Sequence, residues 1–210
     1  AASDVYKRQF EDLSGNLWIG TRRGVLNLFN PVSESFSYFR YDTTNTRTIS
    51  SDYILAFFES KRGELWLGAS NGLNRFEPGT GEFTRFYYAA SDSNNAAHNW
   101  VDVIYEDRDG VLWVGTEKGL KQFDRAAEVL RPFQSSSPLL NQAWITEIVE
   151  EPAAGEKILW VGTRSGLFRI DQKNDNIRHF KHVAGDPNSL GSDNIRCMYL
   201  DQERTLWICL

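Results

Sequence analysis

The chain has 210 residues, of which 41% are hydrophobic and 24% are charged, and its formal net charge is −5. This negative balance argues against a nucleic-acid partner or an anionic membrane surface, because both select clustered Lys and Arg. No apolar run of about 18 residues is present, so no direct membrane contact is expected from this segment. The two cysteines, Cys197 and Cys209, form neither a disulfide framework nor a metal-binding pattern, and no cofactor or metal site is predicted.

One short phrase recurs five times along the chain. It reads LWIGT, LWLGA, LWVGT, LWVGT and finally LWICL. The tryptophans of these phrases are 48, 47, 47 and 47 residues apart, at Trp18, Trp66, Trp113, Trp160 and Trp207. A fixed period of this length is typical of stacked supersecondary units. We therefore interpret residues 1–210 as one repeat array.

The first predicted strand of each repeat is an apolar run that ends in acidic residues, as in YILAFFE from Tyr53 and WVDVIYED from Trp100. A turn follows, with a glycine three residues before the tryptophan in the first three repeats, while a short insertion at 152–155 interrupts the fourth. Acidic residues that recur at one position before a turn predict hydrogen bonds to the turn backbone, which is a structural role.

The tryptophan phrase supplies the second strand. Six residues after each of the first four tryptophans comes a glycine, which favours a turn with positive φ. A third strand such as GLKQF and a fourth with the pattern apolar-x-x-Phe complete the repeat. Four short antiparallel strands in about 47 residues correspond to one propeller blade. Neighbouring blades cover both faces of a blade, so the five tryptophans are predicted to lie in the core between blades.

The predicted fold class is therefore all-β: a β-propeller, as an open arc of about 4.5 four-stranded blades from a larger wheel that we expect to have seven blades. The chain begins at a first strand and ends after a second strand. Both ends depart from the repeat, because Gln9 lies where other first strands are apolar and Cys209 replaces the glycine of the phrase. Residues 1–9 and 209–210 are accordingly predicted to be non-native.

The repeat resembles the two-component regulator propeller repeat. The phrases that carry the resemblance are EDLSGNLWIGTRRGV, ESKRGELWLGASNGL and EDRDGVLWVGTEKGL, together with the loop phrase DPNSLGSDNIR. The resemblance extends over essentially the whole chain, which departs from it at Arg204, at Cys209 and in the insertion before Trp160.

The resemblance implies a periplasmic sensor region of a bacterial hybrid two-component system. In that family propellers precede a small β-sandwich, a membrane helix and a cytoplasmic histidine kinase, and many members respond to oligosaccharides. An oligosaccharide is therefore the expected ligand. The remaining blades and the downstream signalling domains are the expected partners, and the full-length protein is expected to be a dimer.

Positions where the repeats differ are the best candidates for a ligand site, since the constant positions serve the fold. At the start of the first strands one such position reads Tyr53, Trp100, Trp144 and Asn194, and two residues further on the residues are Leu55, Asp102, Thr146 and Arg196. Aromatic rings beside an Asp and an Arg suit a sugar, whose C–H faces stack on rings while its hydroxyls take hydrogen bonds. The candidate ligand-binding residues are Tyr53, Trp100, Asp102, Trp144 and Arg196. The competing interpretation is that the three aromatic residues only cap the tops of the blades.

Three classes of function remain open. The leading hypothesis is a non-catalytic sensor module, and the second is a protein-interaction scaffold without a small ligand. The third is a propeller lyase or glycosidase, which needs acid, base or metal-binding residues that break the repeat and converge on the channel. Only Asp102 and His98 lie near that place, and no catalytic motif is present. No catalytic residue is therefore predicted, and this segment is not expected to be an enzyme.

Overall fold

Each full repeat folds into one four-stranded antiparallel sheet, with its strands in chain order from one edge to the other. The computed structural model describes residues 6–21, 24–88, 95–152 and 157–210. Blade 1 contains β1 (Tyr6–Glu11), β2 (Leu17–Thr21), β3 (Leu26–Asn30) and β4 (Ser35–Phe39). Blade 2 contains β5 (Ile54–Glu59), β6 (Leu65–Ala69), β7 (Gly72–Glu77) and β8 (Glu82–Phe86).

The later repeats continue this pattern. Blade 3 contains β9 (Val101–Glu106), β10 (Leu112–Thr116), β11 (Gly119–Asp124) and β12 (Val129–Pro132). Blade 4 contains β13 (Ile145–Glu151), β14 (Ile158–Thr163), β15 (Gly166–Asp171) and β16 (Asn176–Phe180). Blade 5 consists of β17 (Cys197–Leu200) paired with β18 (Leu206–Cys209). Apart from Pro152, the insertion predicted before Trp160 lies outside the described residues, as do residues 1–5 of the atypical N-terminal segment.

Two short helices lie in the loops between blades, where the sequence predicts only polar loops. They are α1 (Asn95–Asn99) and α2 (Pro138–Gln142). Ser137 caps α2 by accepting a hydrogen bond from the backbone N–H of Leu140, and a proline begins the helix. Both features are typical of helix N-termini. One turn of helix is too short to produce a helical period in the sequence, which is why it was not predicted.

The first strands line the inner side of the arc. β1 contacts β5, β5 contacts β9, β9 contacts β13 and β13 contacts β17, while the fourth strands lie at the outer edges of their sheets. This is the radial arrangement of a propeller, with an axial channel beside the first strands. The predicted open arc of four complete blades and one half blade is confirmed.

The tryptophan of one blade packs against the third strand of the next blade. The Trp18 and Phe76 rings are 4.8 Å apart between centroids, as are those of Trp66 and Phe123. Trp18, Trp66 and Trp113 are at most 1% exposed, so their predicted core role is confirmed.

The last two tryptophans of the repeat are less buried than the first three. Trp160 is half-buried and Trp207 is 61% exposed, so the core prediction is wrong for Trp207. The physical reason is that blade 5 contributes two strands, and the described chain places no third strand of a following blade beside either ring.

The glycine of the tryptophan phrase is required by the close approach of the next blade. A Cβ atom on Gly68 would lie 2.6 Å from the carbonyl oxygen of Val101, and one on Gly115 would lie 2.7 Å from Cγ2 of Ile145. Real Cβ atoms do not approach other heavy atoms so closely. The fourth residue of the phrase is therefore glycine because the second strand of one blade touches the first strand of its neighbour.

The recurrent aspartate before the turn has the structural role that the sequence predicts. Oδ1 of Asp107 accepts hydrogen bonds from the backbone N–H groups of Asp109 (3.1 Å) and Val111 (2.9 Å). Its Oδ2 accepts the indole N–H of Trp113 at 2.9 Å. Asp12 and Asp201 make the same two kinds of contact in blades 1 and 5. One carboxylate thus closes the turn and orients the core indole.

The glutamate that precedes this position joins adjacent blades. Oε2 of Glu106 in blade 3 accepts the backbone N–H of Lys61 in the turn of blade 2 at 2.7 Å. The same contact joins Glu59 to Leu13 at 2.7 Å, and Glu150 to Arg108 at 2.8 Å. A hydrogen bond between a charged acceptor and a backbone donor is stronger than a neutral one. These three contacts fix each blade to the next one at the turn end.

Blade 5 carries a disulfide that the sequence reasoning does not predict. Cys197 on β17 and Cys209 on β18 are directly paired across the two strands and are bonded. Cys209 occupies the position at which the other blades have the glycine of the phrase. Comparison of the repeats therefore identifies Cys209 as a replaced glycine and does not indicate its disulfide partner.

Candidate ligand site at the channel mouth

A β-bulge recurs at the start of the first strands. In β9 the partners of Val101 and Val103 are adjacent residues of β10, so Asp102 between them has no partner in the ladder. Leu55 in β5 and Thr146 in β13 are skipped in the same way. Bulges redirect side chains and are frequent beside functional sites. The bulged residues occupy the variable position from which the sequence analysis drew Asp102 and Arg196.

Asp102 lies at the centre of an aromatic cluster. Its Oδ1 accepts the indole N–H of Trp100 at 3.3 Å, and its Oδ2 accepts the indole N–H of Trp144 from the next blade. Burial raises the pKa of the Asp102 carboxyl, while the two indole hydrogen bonds and the positive charge of Arg164 act in the opposite direction. A half-buried carboxylate that accepts two indole N–H groups holds both rings in fixed orientations.

Parts of these aromatic rings already contact other side chains of the protein. The Tyr53 and Trp100 rings meet edge to face, with 5.3 Å between their centroids. The guanidinium of Arg164 lies over the Trp144 ring, 3.2 Å from its centroid, in a cation–π contact. The aromatic residues therefore form a scaffold around Asp102, and the guanidinium of Arg164 covers one ring face of this scaffold.

A polar cavity of about 690 Å³ opens beside this cluster. Its lining comprises Arg8, Asp102, Trp144, Thr146, Arg164, Asn194, Ile195 and Arg196. A smaller cavity of about 180 Å³ shares Arg8, Asp102 and Thr146, and it adds Glu147 among its lining residues. Burial raises the pKa of the Glu147 carboxyl. The two cavities lie along the first strands, so they mark the mouth and the adjoining part of the axial channel.

The structure brings most of the predicted residues together. Asp102, Trp144 and Arg196 line the same cavity. Trp100 is not among its lining residues, but it is joined to the site through its hydrogen bond to Asp102. Tyr53 lies behind Trp100 and makes no contribution to the lining.

The sequence reasoning missed Arg164. This residue immediately follows the fourth copy of the tryptophan phrase, at a position occupied by Ser70 in blade 2 and by Glu117 in blade 3. A variable residue directly after a constant phrase was the signal that could have identified it. Burial raises the pKa of the Glu117 carboxyl, and the charge of Asp102 adds to this effect. Glu117 and Arg164 thus both belong to the electrostatic surroundings of Asp102.

The described residues contain no group of three or more His, Cys, Asp or Glu side chains placed to hold a metal ion. His179 stacks on Phe168, with 4.0 Å between ring centroids, and its Nε2 lies 2.9 Å from the carbonyl oxygen of Ser165. His182 Nδ1 lies 2.6 Å from the carbonyl oxygen of Leu190. These two histidines therefore organise the edge of blade 4 and the loop that follows it.

The fold and the cavity together define a β-propeller segment with a polar candidate site at the mouth of its channel. The family model described as "Two component regulator propeller" matches residues 95–118, which contain the third copy of the tryptophan phrase. The resemblance to this repeat is thereby confirmed. No curated protein matches the sequence.

Solved structures share this fold. The extracellular domain of BT4673 from B. thetaiotaomicron, described as a hybrid two component system, is 23% identical with a TM-score of 0.78, and the match covers 94% of this chain and 25% of that one. PorZ, a surface component of the type-IX secretion system of Porphyromonas gingivalis, is 20% identical with a TM-score of 0.71, covering 97% and 30%. The chain thus spans about a quarter to a third of these proteins. Among the described residues, no helix has the length and apolar character needed to cross a membrane.

Proposed function

We propose that this chain is part of a ligand-sensing β-propeller of a bacterial two-component sensor, which recognises an oligosaccharide and signals through domains outside the chain. The observation that carries the proposal is the cavity lined by Asp102, Trp144 and Arg196, three residues at positions that vary among otherwise regular repeats. We further propose a periplasmic location and a dimeric full-length protein, in line with the two-component regulator propeller match.

The size and composition of the cavity support an oligosaccharide ligand. A volume of about 690 Å³ is in the range of small-molecule sites and accommodates a few sugar rings. The exposed Asn194 and Arg196 offer hydrogen-bonding groups to hydroxyls, and Trp144 adds an apolar wall. We propose recognition without turnover, so a bound sugar is expected to be recovered intact.

One observation favours a second candidate function, a protein-interaction scaffold. Blade 1 exposes three large apolar side chains on its outer strand and the preceding turn, namely Val32 (93%), Phe36 (65%) and Tyr38 (70%). Clustered exposed apolar residues are typical of interaction surfaces. This surface is separate from the channel mouth, so the two functions can be tested separately.

The test is binding of the chain to an array of immobilised oligosaccharides, followed by titration calorimetry with each sugar that binds. Trp144→Ala is expected to reduce affinity at least tenfold because it removes the cavity wall and one hydrogen-bond partner of Asp102. Tyr38→Ala is the matched control, since it truncates an exposed aromatic ring far from the channel. Absence of binding to every sugar, or equal loss in both variants, would contradict the proposal.

A further inference from the structure

Arginines outnumber carboxylates in the lining of the larger cavity at the channel mouth. Three arginines, Arg8, Arg164 and Arg196, line the larger cavity, and all three are exposed. Asp102 is the only carboxylate in that lining, and both of its oxygens already accept indole N–H groups. The site therefore presents an excess of positive charge although the whole chain carries a net charge of −5.

In the part of the chain that the structure describes, these guanidinium groups interact with nearby carboxylates only at longer range than an ion pair. Among the described residues, none of these three arginines has a carboxylate oxygen within ion-pair distance, whereas Arg75, Arg108 and Arg125 each do. Arg164 is held in place by stacking on Trp144, and the backbone N–H of Arg196 donates to the carbonyl oxygen of Cys209 at 2.9 Å. Stacking thus positions the Arg164 guanidinium, the hydrogen bond to Cys209 anchors the Arg196 backbone, and both guanidinium groups retain N–H donors for a ligand.

Two further carboxylates lie near the site but outside the lining of the larger cavity. Glu117 interacts electrostatically with Arg164 and Asp102 but lies outside the cavity lining. Glu147 belongs to the smaller, deeper cavity. Arginine binds carboxylate and sulfate groups through two parallel N–H···O bonds, and such pairs are stronger in a partly enclosed site than in open water.

We propose that the ligand of this site is an acidic oligosaccharide, whose carboxylate or sulfate group is bound by Arg164 and Arg196. The inference rests on the proposed sugar-sensing function and specifies the class of sugar. Arg8 lies within the segment that the sequence predicts to be non-native, so the role is assigned to the arginines of blades 4 and 5 alone. Trp144 and Asp102 position Arg164, and the sugar rings occupy the remainder of the cavity.

The experiment compares three arms of an oligosaccharide array: neutral sugars, uronic-acid sugars and sulfated sugars. The chain is expected to bind an acidic arm, and the arm that binds distinguishes a carboxylate from a sulfate. Arg164→Gln and Arg196→Gln are each expected to lower that affinity at least tenfold, and the affinity of the unaltered chain is expected to fall as salt is raised. Arg178→Gln is the matched control, because Arg178 is exposed on the outer strand of blade 4.

The outcomes separate the two proposals. Binding to neutral sugars that neither arginine substitution changes overturns the acidic ligand and leaves the sugar-sensing function standing. Absence of binding in all three arms overturns the sugar-sensing function. The anion site is then tested separately, by comparing the melting temperature of the chain in sodium sulfate with that in sodium chloride at equal ionic strength. Sulfate is expected to stabilise the unaltered chain more than the Arg164→Gln/Arg196→Gln double variant. An equal response overturns the anion site as well.

Discussion

Lys121 on β11 is a buried cation without an acidic partner. It is 1% exposed, and among the described residues no carboxylate lies within ion-pair distance of it. Its Nζ donates to Oγ1 of Thr116 at 2.8 Å and to the carbonyl oxygen of Lys118 at 2.9 Å, and it lies 5.0 Å from the centroid of the Tyr88 ring. Burial lowers the pKa of Lys121 to about 7. The folded protein therefore favours the neutral amine.

The effect on stability follows from proton binding. An unfolded lysine has a pKa of about 10.4, so between pH 7 and that value the unfolded chain binds more protons than the folded chain. The free energy of unfolding therefore rises with pH across this window. The full difference in pKa corresponds to about 5 kcal/mol, of which about 3 to 4 kcal/mol is gained between pH 7 and 10.

Lys121→Met removes the amine and keeps most of the buried volume. At pH 7 the variant is expected to be more stable than the unaltered chain by a few kcal/mol, because it does not bury a partly charged group. At pH 10 the two are expected to differ by less than about 1 kcal/mol, since the lysine is then neutral in the folded state. Urea unfolding followed by circular dichroism at pH 7, 8.5 and 10 measures this difference directly.

The reasoning is refuted if the stability difference between Lys121→Met and the unaltered chain is the same at pH 7 and pH 10. Other titrating groups are present in both proteins and cancel in the comparison. Lys118→Met serves as the control, because the Lys118 amine lies at the protein surface, 3.5 Å from Oε1 of Gln142. Its stability difference is expected to stay within about 0.5 kcal/mol at every pH.

Three further predictions test the contacts between blades and the bulge. Glu106→Gln is expected to lower the free energy of unfolding by about 1 to 3 kcal/mol, because the buried Glu106 also pairs with Arg125 at 2.9 Å and that cation would keep only its second carboxylate partner, Glu64; a loss below about 0.5 kcal/mol in urea unfolding would be inconsistent with this. Gly115→Ala is expected to destabilise by about 3 kcal/mol or more through its clash with the next blade, whereas Gly79→Ala, with open space around it, is expected to be neutral in the same assay. Thr146→Val is expected to raise stability by up to about 1 kcal/mol, since its buried Oγ1 has no hydrogen-bond partner in the described chain, and a clear loss in thermal unfolding would count against that assignment.

The repeat predicted the blades well because one constraint applies to every copy. The tryptophan phrase must pack against a neighbouring blade, so its spacing locates each sheet to within a few residues. The predicted first strand from Trp100, for example, is β9, which begins at Val101. The same logic failed at Trp207, because a rule derived from the middle of an array assumes a following blade.

The candidate site was predicted less completely. The variable position identified Asp102 and Arg196, but the bulge that takes Asp102 out of the ladder depends on strand register, which the sequence pattern does not specify. The stacking of Arg164, which follows β14, on Trp144, which precedes β13, depends on side-chain orientation. Comparison of repeats therefore identifies the positions that vary. The structure shows which of their side chains contact one another and line the cavity.

The bulge allows one position of the first strand to vary while the repeat remains regular. On either side of Asp102, Val101 and Val103 remain in the ladder, and Gly115 maintains contact with the next blade. The bulged residue takes no part in that ladder, so exchanging it leaves the constant hydrogen bonds and the blade packing in place. Thr146 and Asp102 occupy equivalent positions and differ in charge, yet their blades have the same strand order and the same break in register. Under the proposed function, substitutions at Thr146 are therefore expected to change ligand preference with small effects on folding, whereas substitutions at Asp102 also remove the hydrogen bonds that orient Trp100 and Trp144.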